Sequence, residues 1–255
     1  MASPALRLRT RWYRALPTDA AGYEEEVLEL PRARVGFVGL HCWNIGCPDG
    51  PPVDPRYCVG MGWPEAAAEA ARIMADVIRP AMDLCRAAGV PVFHVESDWM
   101  AAHYPHVPAR PAPAPGGPRT HWQQHILDRC HGPEYLAHSP LAAMKRAERV
   151  SPVGDEPLVF YSDQLDERLR AAGVEHLIYA GFATDMCILD AEGGARAMLG
   201  RGYRPILLRD GTVGVERPDT FAERLATRYG LHRFEWQVGW STSLVDLRAA
   251  LGGAP

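Results

Sequence analysis

The stretch His176–Leu208, HLIYAGFATDMCILDAEGGARAMLGRGYRPILL, decides how the chain folds. His176–Phe182 is an apolar run of strand length, and Arg204–Leu208 is a second one. The residues from about Asp185 to Leu199 between them are helical in composition. A strand, a helix of ten or more residues and another strand make a crossover unit, whose two strands lie parallel with the helix packed on one face of the sheet.

The same rhythm extends outward in both directions. Upstream, Val35–Leu40 (VGFVGL) suits a strand buried on both faces, followed by a proline-rich loop over Cys47–Pro55. Pro64–Ala88 is helical, with Pro80 kinking it or starting a second helix and Gly89 ending it, and Val90–Glu96 is the next strand. Downstream come a helix at Asp163–Ala172 stopped by Gly173, a helix at Pro218–Tyr229 and a last strand at Phe234–Val238. Alternating strands and helices predict an α/β protein of three layers, α/β/α, doubly wound around a mainly parallel sheet. Residues 1–32 read as an N-terminal arm or extension. Residues 33–255 read as a single domain with a proline-rich insertion around 100–157, in which VPARPAPAPGGP (107–118) is an extended lid or arm.

Composition narrows the function classes. The chain of 255 residues has a formal net charge of −4, which disfavours a nucleic-acid partner. No apolar run has membrane length, and the four arginines of residues 1–17 read as the mild basic tail of a soluble protein. Six scattered cysteines are too few for a disulfide scaffold in a chain this long, so they predict reduced thiols and a cytoplasmic location. No GxGxxG or Walker-type loop follows a strand, and the expected partner is a small-molecule substrate. Of 27 basic residues only Lys145 is a lysine.

In open parallel sheets the site lies beyond the carboxyl ends of the strands. Cys187 falls there, in the first turn of the helix after His176–Phe182, with Thr184 or Asp185 as cap. That position favours a thiolate and offers backbone N–H groups to an oxyanion. The bland alternative is a small buried hydrophobe.

GFATDMCILDAEGGARAMLGRGYRPILLRDG, AAGVPVFHVESDW and VGFVGLHCWN resemble the corresponding segments of the isochorismatase-like cysteine hydrolases, over roughly residues 33–99 and 160–251. The resemblance implies amide or carbamoyl C–N bond hydrolysis by a cysteine, an aspartate base and a lysine, with no organic cofactor. It also implies a cis peptide, here Phe182–Ala183, oxyanion donors at the amides of Met186 and Cys187, and a homo-oligomer.

At two catalytic positions the pattern departs from the family. The family's Asp-x-Gln-Asn aligns with His41–Asn44, so His41 stands where the base is expected and should face Cys187, with a pKa near neutrality that suits proton transfer. Lys145 is the sole amine, but LAAMKRAERV reads as helix, leaving it either the family's lysine or a solvated one. Trp43, Asn44, Trp99 and Thr184 are candidates for binding substrate, with Trp122 a further tryptophan of the pocket wall. His94, Glu96, Asp98, His103 and His106 are metal-ligand types, yet Met100 stands where some amidases of the family have the histidine of an Asp-Trp-His element, so the expected metal set is none, with a divalent ion the alternative. Two rival functions stay open: a non-catalytic binding or assembly module, and isochorismatase-type vinyl-ether hydrolysis.

Overall fold

The computed structural model describes residues 5–57, 63–111, 121–132, 134–138 and 140–252; part of the 107–118 segment lies outside them. Eight strands, β1 (Ala5–Arg14), β2 (Gly22–Pro31), β3 (Val35–Leu40), β4 (Val92–Val95), β5 (Leu158–Val159), β6 (His176–Gly181), β7 (Arg204–Leu208) and β8 (Trp240–Thr242), form one sheet. Their order is β2-β1-β8-β7-β6-β3-β4-β5. From β3 to β8 every pair is parallel. The chain winds one way through β4 and β5 and the other way through β6, β7 and β8, so the order reverses between β3 and β6.

Residues 5–31 extend the sheet. β1 and β2 form an antiparallel hairpin, and β1 also pairs antiparallel with β8 at Arg11↔Ser241. Leu6 and Leu8 alternate into the core while Arg7 and Arg9 point outward, the period-two pattern of a half-buried strand. Arg11 donates through Nε to the buried Glu235 at 2.7 Å, and Ser241 Oγ donates to the same carboxylate at 2.6 Å, which fixes the hairpin to the domain.

The helices are α1 (Pro64–Ile73), α2 (Arg79–Ala87), α3 (His121–His131), α4 (Tyr135–His138), α5 (Ser162–Ala171), α6 (Cys187–Asp190), α7 (Ala195–Leu199), α8 (Leu225–Gln237) and α9 (Leu244–Leu251). Val35 and Phe37 of β3 pack with Ala70, Ile73, Met82 and Leu247 from α1, α2 and α9. Val38 and Leu40 pack on the other face with Leu165, Leu169, Ile188, Ala195, Met198 and Phe234 from α5 to α8. The two cores on either side of one sheet are the three layers expected. Between α1 and α2 a π-helical turn, Met74–Ile78, interrupts the α-helical ladder just before Pro80, which then falls in the first turn of α2, where a missing N–H is tolerated.

Three elements differ from the sequence reading. The helix expected from Asp185 to Leu199 is two short ones, because Gly193 takes φ +68° and Glu192 turns away to accept from the Ser162 N–H at 2.8 Å. The helix expected at Pro218–Tyr229 starts only at Leu225, after Arg224 in the left-handed region (φ +53°). There the buried Glu216 carboxylate takes the N–H groups of Ala226 (3.3 Å) and Thr227 (2.9 Å). The strand expected at Phe234–Val238 is instead the last turn of α8 and the residue after it, with β8 following at Trp240. A short apolar run does not distinguish a strand from a buried helical turn.

Candidate active site

The register of β3 and β6 sets the geometry of the site. Leu40 lies opposite Gly181, and the chain crosses over there: the Phe182 N–H donates to Leu40 O at 3.0 Å, and the His41 N–H to Val95 O of β4 at 2.9 Å. Gly181 has φ +128°, and a Cβ there would sit 1.8 Å from Leu40 O, so only glycine fits. His41 is left-handed at φ +50°, an uncommon conformation for a residue with a Cβ, and it directs the chain into the turn that carries Cys42 and Trp43. The Phe182–Ala183 peptide is cis.

The His41 ring is buried and stacks on Trp43, centroids 5.3 Å apart and planes 19° from parallel. Trp99 stands 6.2 Å from Trp43 and is half exposed, so the two indoles form a wall running from the ring to solvent. Nε2 of His41 is 3.2 Å from Ser97 Oγ, and Nδ1 has no partner. The expected pKa near neutrality is not found: burial first, and then the charge of Arg146, push it down to about 3. The ring is a neutral imidazole at physiological pH, and it makes no hydrogen bond to Cys187.

Cys187 opens α6, half-buried against the core on that face of the sheet. The thiolate expected from a helix N-terminus is not found either. Burial pushes the Cys187 pKa up, the Ala183 backbone pulls it down, and Asp185, Glu96 and Asp190 raise it further. With α6 only one turn long, its dipole is small against three carboxylates and a low-dielectric surrounding. Met186 precedes the helix and is exposed; its N–H already donates to Ala183 O at 3.2 Å. Neither Thr184 nor Asp185 caps α6. Thr184 is buried with its hydroxyl 2.7 Å from that of Thr212, and Asp185 accepts from the Val215 N–H at 2.9 Å, so both residues anchor the loop after β7.

Sequence reasoning weighed Lys145 and passed over its neighbour. Lys145 is partly exposed, with Nζ 3.6 Å from Glu148. Arg146 is wholly buried, and its Nη1 donates to Glu96 Oε1 at 2.7 Å, an ion pair in which both side chains are fully buried. Glu96 follows β4 directly. Burial pushes its carboxyl pKa up against the pull of Arg146, of the Trp43 indole and of the Cys42 amide. The available signal was Glu96 itself, an acid ending an apolar strand and needing a buried cation. Asn44, also buried, is structural: Nδ2 donates to Asp49 O at 2.8 Å and Oδ1 accepts from the Lys145 N–H at 3.0 Å.

Of the metal-ligand types, His94 Nε2 is 2.9 Å from Glu156, and Asp98 accepts from Tyr161 Oη at 2.9 Å. Among the described residues no group of three or more His, Cys, Asp or Glu side chains is arranged to hold an ion. No helix among them is long and apolar enough to cross a membrane.

Comparison with known proteins places the chain in a family. The family model of the isochorismatase domain matches residues 56–240. The chain belongs to the isochorismatase family. The ureidoacrylate amidohydrolase RutB of Stutzerimonas stutzeri is 28% identical over 191 residues, 70% of each chain. The nicotinamidase of Escherichia coli is 29% identical over 162 residues, covering 55% of this chain and 71% of its own. Among solved structures, a cysteine hydrolase from Pseudomonas syringae pv. phaseolicola superposes with a TM-score of 0.52 at 19% identity, covering 87% of this chain and 93% of that one, a likeness of fold. The isochorismatase match takes in Glu96, Trp99, Arg146 and Cys187 but starts downstream of β3, so His41, Trp43 and Asn44 lie outside it.

Proposed function

We propose that the protein is a hydrolase of a small-molecule amide or carbamoyl-type C–N bond, with Cys187 as nucleophile and a thioester intermediate. The observation that carries this reading is the position of Cys187 in a member of the isochorismatase family: it opens α6 past the end of β6, where the sheet order reverses. Two relatives named for amide hydrolysis, the ureidoacrylate amidohydrolase and the nicotinamidase, support the bond class.

In this mechanism the Cys187 sulfur attacks the substrate carbonyl and His41 takes the thiol proton. With the thiol pKa raised and the imidazole pKa about 3, a resting thiolate–imidazolium pair is strongly disfavoured, so proton transfer accompanies C–S bond formation. The Cys187 amide is left without an acceptor among the described residues and is the oxyanion donor, whereas the Met186 amide must release Ala183 O to join it. Ammonia or an amine leaves with the proton from His41, and water then releases the acid from the thioester. Trp43 and Trp99, their planes 56° apart, supply an aromatic wall for the substrate.

The same low basicity favours a second reading, in which the fold is kept as a binding module without turnover. One assay separates them: ammonium release from a panel of primary amides and N-carbamoyl compounds, with wild-type protein and Cys187→Ser. Release that the substitution abolishes supports the hydrolase. Release that persists undiminished in Cys187→Ser refutes the nucleophile, and no release from any amide leaves the binding module.

A further inference from the structure

Next to the only lysine, the chain buries a guanidinium under the turn that carries His41. Lys145–Ala147 runs antiparallel to Cys42–Asn44: Trp43 and Arg146 form an isolated bridge, the Asn44 N–H donates to Lys145 O at 2.8 Å, and the Ala147 N–H donates to Cys42 O at 2.8 Å. The Arg146 side chain joins the surrounding elements. Nη1 reaches Glu96 Oε1 beyond β4 and, at 3.3 Å, Gly39 O of β3, while Nε donates to Val150 O at 2.8 Å and the backbone N–H to Tyr104 Oη at 3.0 Å. Gly39 makes the room, since a Cβ there would lie 2.7 Å from Arg146 Nη2 and 2.6 Å from Met82 Cε.

A wholly buried ion pair is a poor source of stability, because desolvation offsets most of the attraction. This one sits beside buried polar atoms that have no partner: His41 Nδ1, Trp43 Nε1, Glu96 Oε2 and Arg146 Nη2. The Trp43 indole pulls the Glu96 carboxyl pKa down, yet its N–H has no hydrogen-bond partner. Such a cluster suits a site whose geometry is held for chemistry rather than for packing.

We propose that the Glu96–Arg146 pair is the positioning element of the active site: it ties the Lys145–Ala147 segment, and with it the His41–Trp43 turn, to the end of β4, so that the ring stays packed in place. This deepens the hydrolase reading, on which it rests. The groups around the ring are few. Glu96, beyond β4, is bound to Arg146, and Ser97 beside it is uncharged. Cys42 on the same turn has its pKa pushed up to about 12, and Cys187 across the switch point is also raised, so both are neutral thiols. Arg146 is the charge that acts on the imidazole, in the same direction as burial.

The test compares Arg146→Lys, Arg146→Met and the double variant Glu96→Gln/Arg146→Met, reading the His41 titration by NMR of labelled histidine in substrate-free protein. In the wild type the ring stays unprotonated down to about pH 3 or to acid unfolding, whichever comes first. Arg146→Met and the double variant raise the midpoint by roughly one to two pH units, and Arg146→Lys leaves it in place. With an active amide substrate, Arg146→Met lowers kcat by about 10²-fold with little change in KM, and its acid limb follows the His41 midpoint. If Arg146→Met does not fold, the double variant, which leaves no unpaired ion, carries the measurement. A His41 midpoint that stays put in the folded double variant, whatever happens to its melting temperature, overturns the proposal. A midpoint that moves in a protein without amide turnover supports the positioning role and removes the hydrolase reading instead.

Discussion

Replacing His41 with asparagine tests whether the imidazole is held neutral. Its folded pKa of about 3 lies below the ordinary 6.5, so the unfolded chain binds the proton first as the pH falls. The resulting stability is complete above about pH 6.5 and is lost progressively until about pH 3. At 1.36 kcal/mol per pKa unit, the single-site linkage removes about 2 kcal/mol between pH 7 and 5, and about 3 kcal/mol by pH 4. Asparagine is the suitable replacement because it tolerates the left-handed backbone at this position, can bond Ser97, and does not titrate. Denaturant unfolding of both proteins at pH 7, 6, 5 and 4 gives the difference directly. Other acid-sensitive groups, such as His94 with its pKa lowered to about 4, act in both proteins and cancel. Wild type is expected to lose stability more steeply on acidification, by the amounts above. Curves that stay parallel to within about 0.5 kcal/mol would mean that His41 titrates normally and that burial and Arg146 do not govern it.

In the free protein, Cys187 is expected to react with iodoacetamide at pH 7 more slowly than a peptide cysteine, with a rate that rises through alkaline pH; labelling faster than the peptide would contradict the thiol described here. Gly181→Ala should cost roughly 3 kcal/mol or more, because its Cβ would meet Leu40 O at 1.8 Å on a backbone at φ +128°; a melting temperature within a few degrees of wild type would show that the crossover of β3 and β6 is not as tight as the structure has it. Glu216→Ala should destabilise by about 1–2 kcal/mol by removing the carboxylate that takes the first N–H groups of α8, and thermal unfolding measures it.

The fold was legible where apolar runs were long, regular and punctuated. Val35–Leu40, His176–Gly181 and Arg204–Leu208 each send residues to both cores, as strands buried on two faces do, and Gly89 and Gly173, both with positive φ, stop their helices as expected. What escaped was decided by contacts distant in sequence. The hairpin of β1 and β2 has one polar face lined by Arg7, Arg9 and Glu29, so its composition reads as a charged arm until Glu235 and Ser241 are seen holding it from the far end of the chain. The start of α8 depends on Glu216, nine residues upstream of Leu225, reaching forward to its first turn. No local propensity contains either fact.

Electrostatics made the site harder to read. Placement of Cys187 after one strand and His41 after its neighbour follows from topology, which the alternation of elements specifies. Their protonation does not, since it depends on what is buried around them. A cysteine in a first turn suggests a thiolate only where the helix is long and the neighbourhood lacks acids, whereas here α6 has one turn and Asp185, Asp190 and Glu96 surround the sulfur. The neutral ring of His41 and the burial of Arg146 are parts of one arrangement. Arg146 already has a carboxylate in Glu96, and an aspartate at position 41 would bring a second one into a dry cluster, where only one of the two could be matched by the guanidinium. A neutral ring leaves the pair balanced and still presents a lone pair at the end of β3. With an imidazole at 41, the buried carboxylate belongs at the end of β4, one strand over, and the cation belongs on the segment that bridges them.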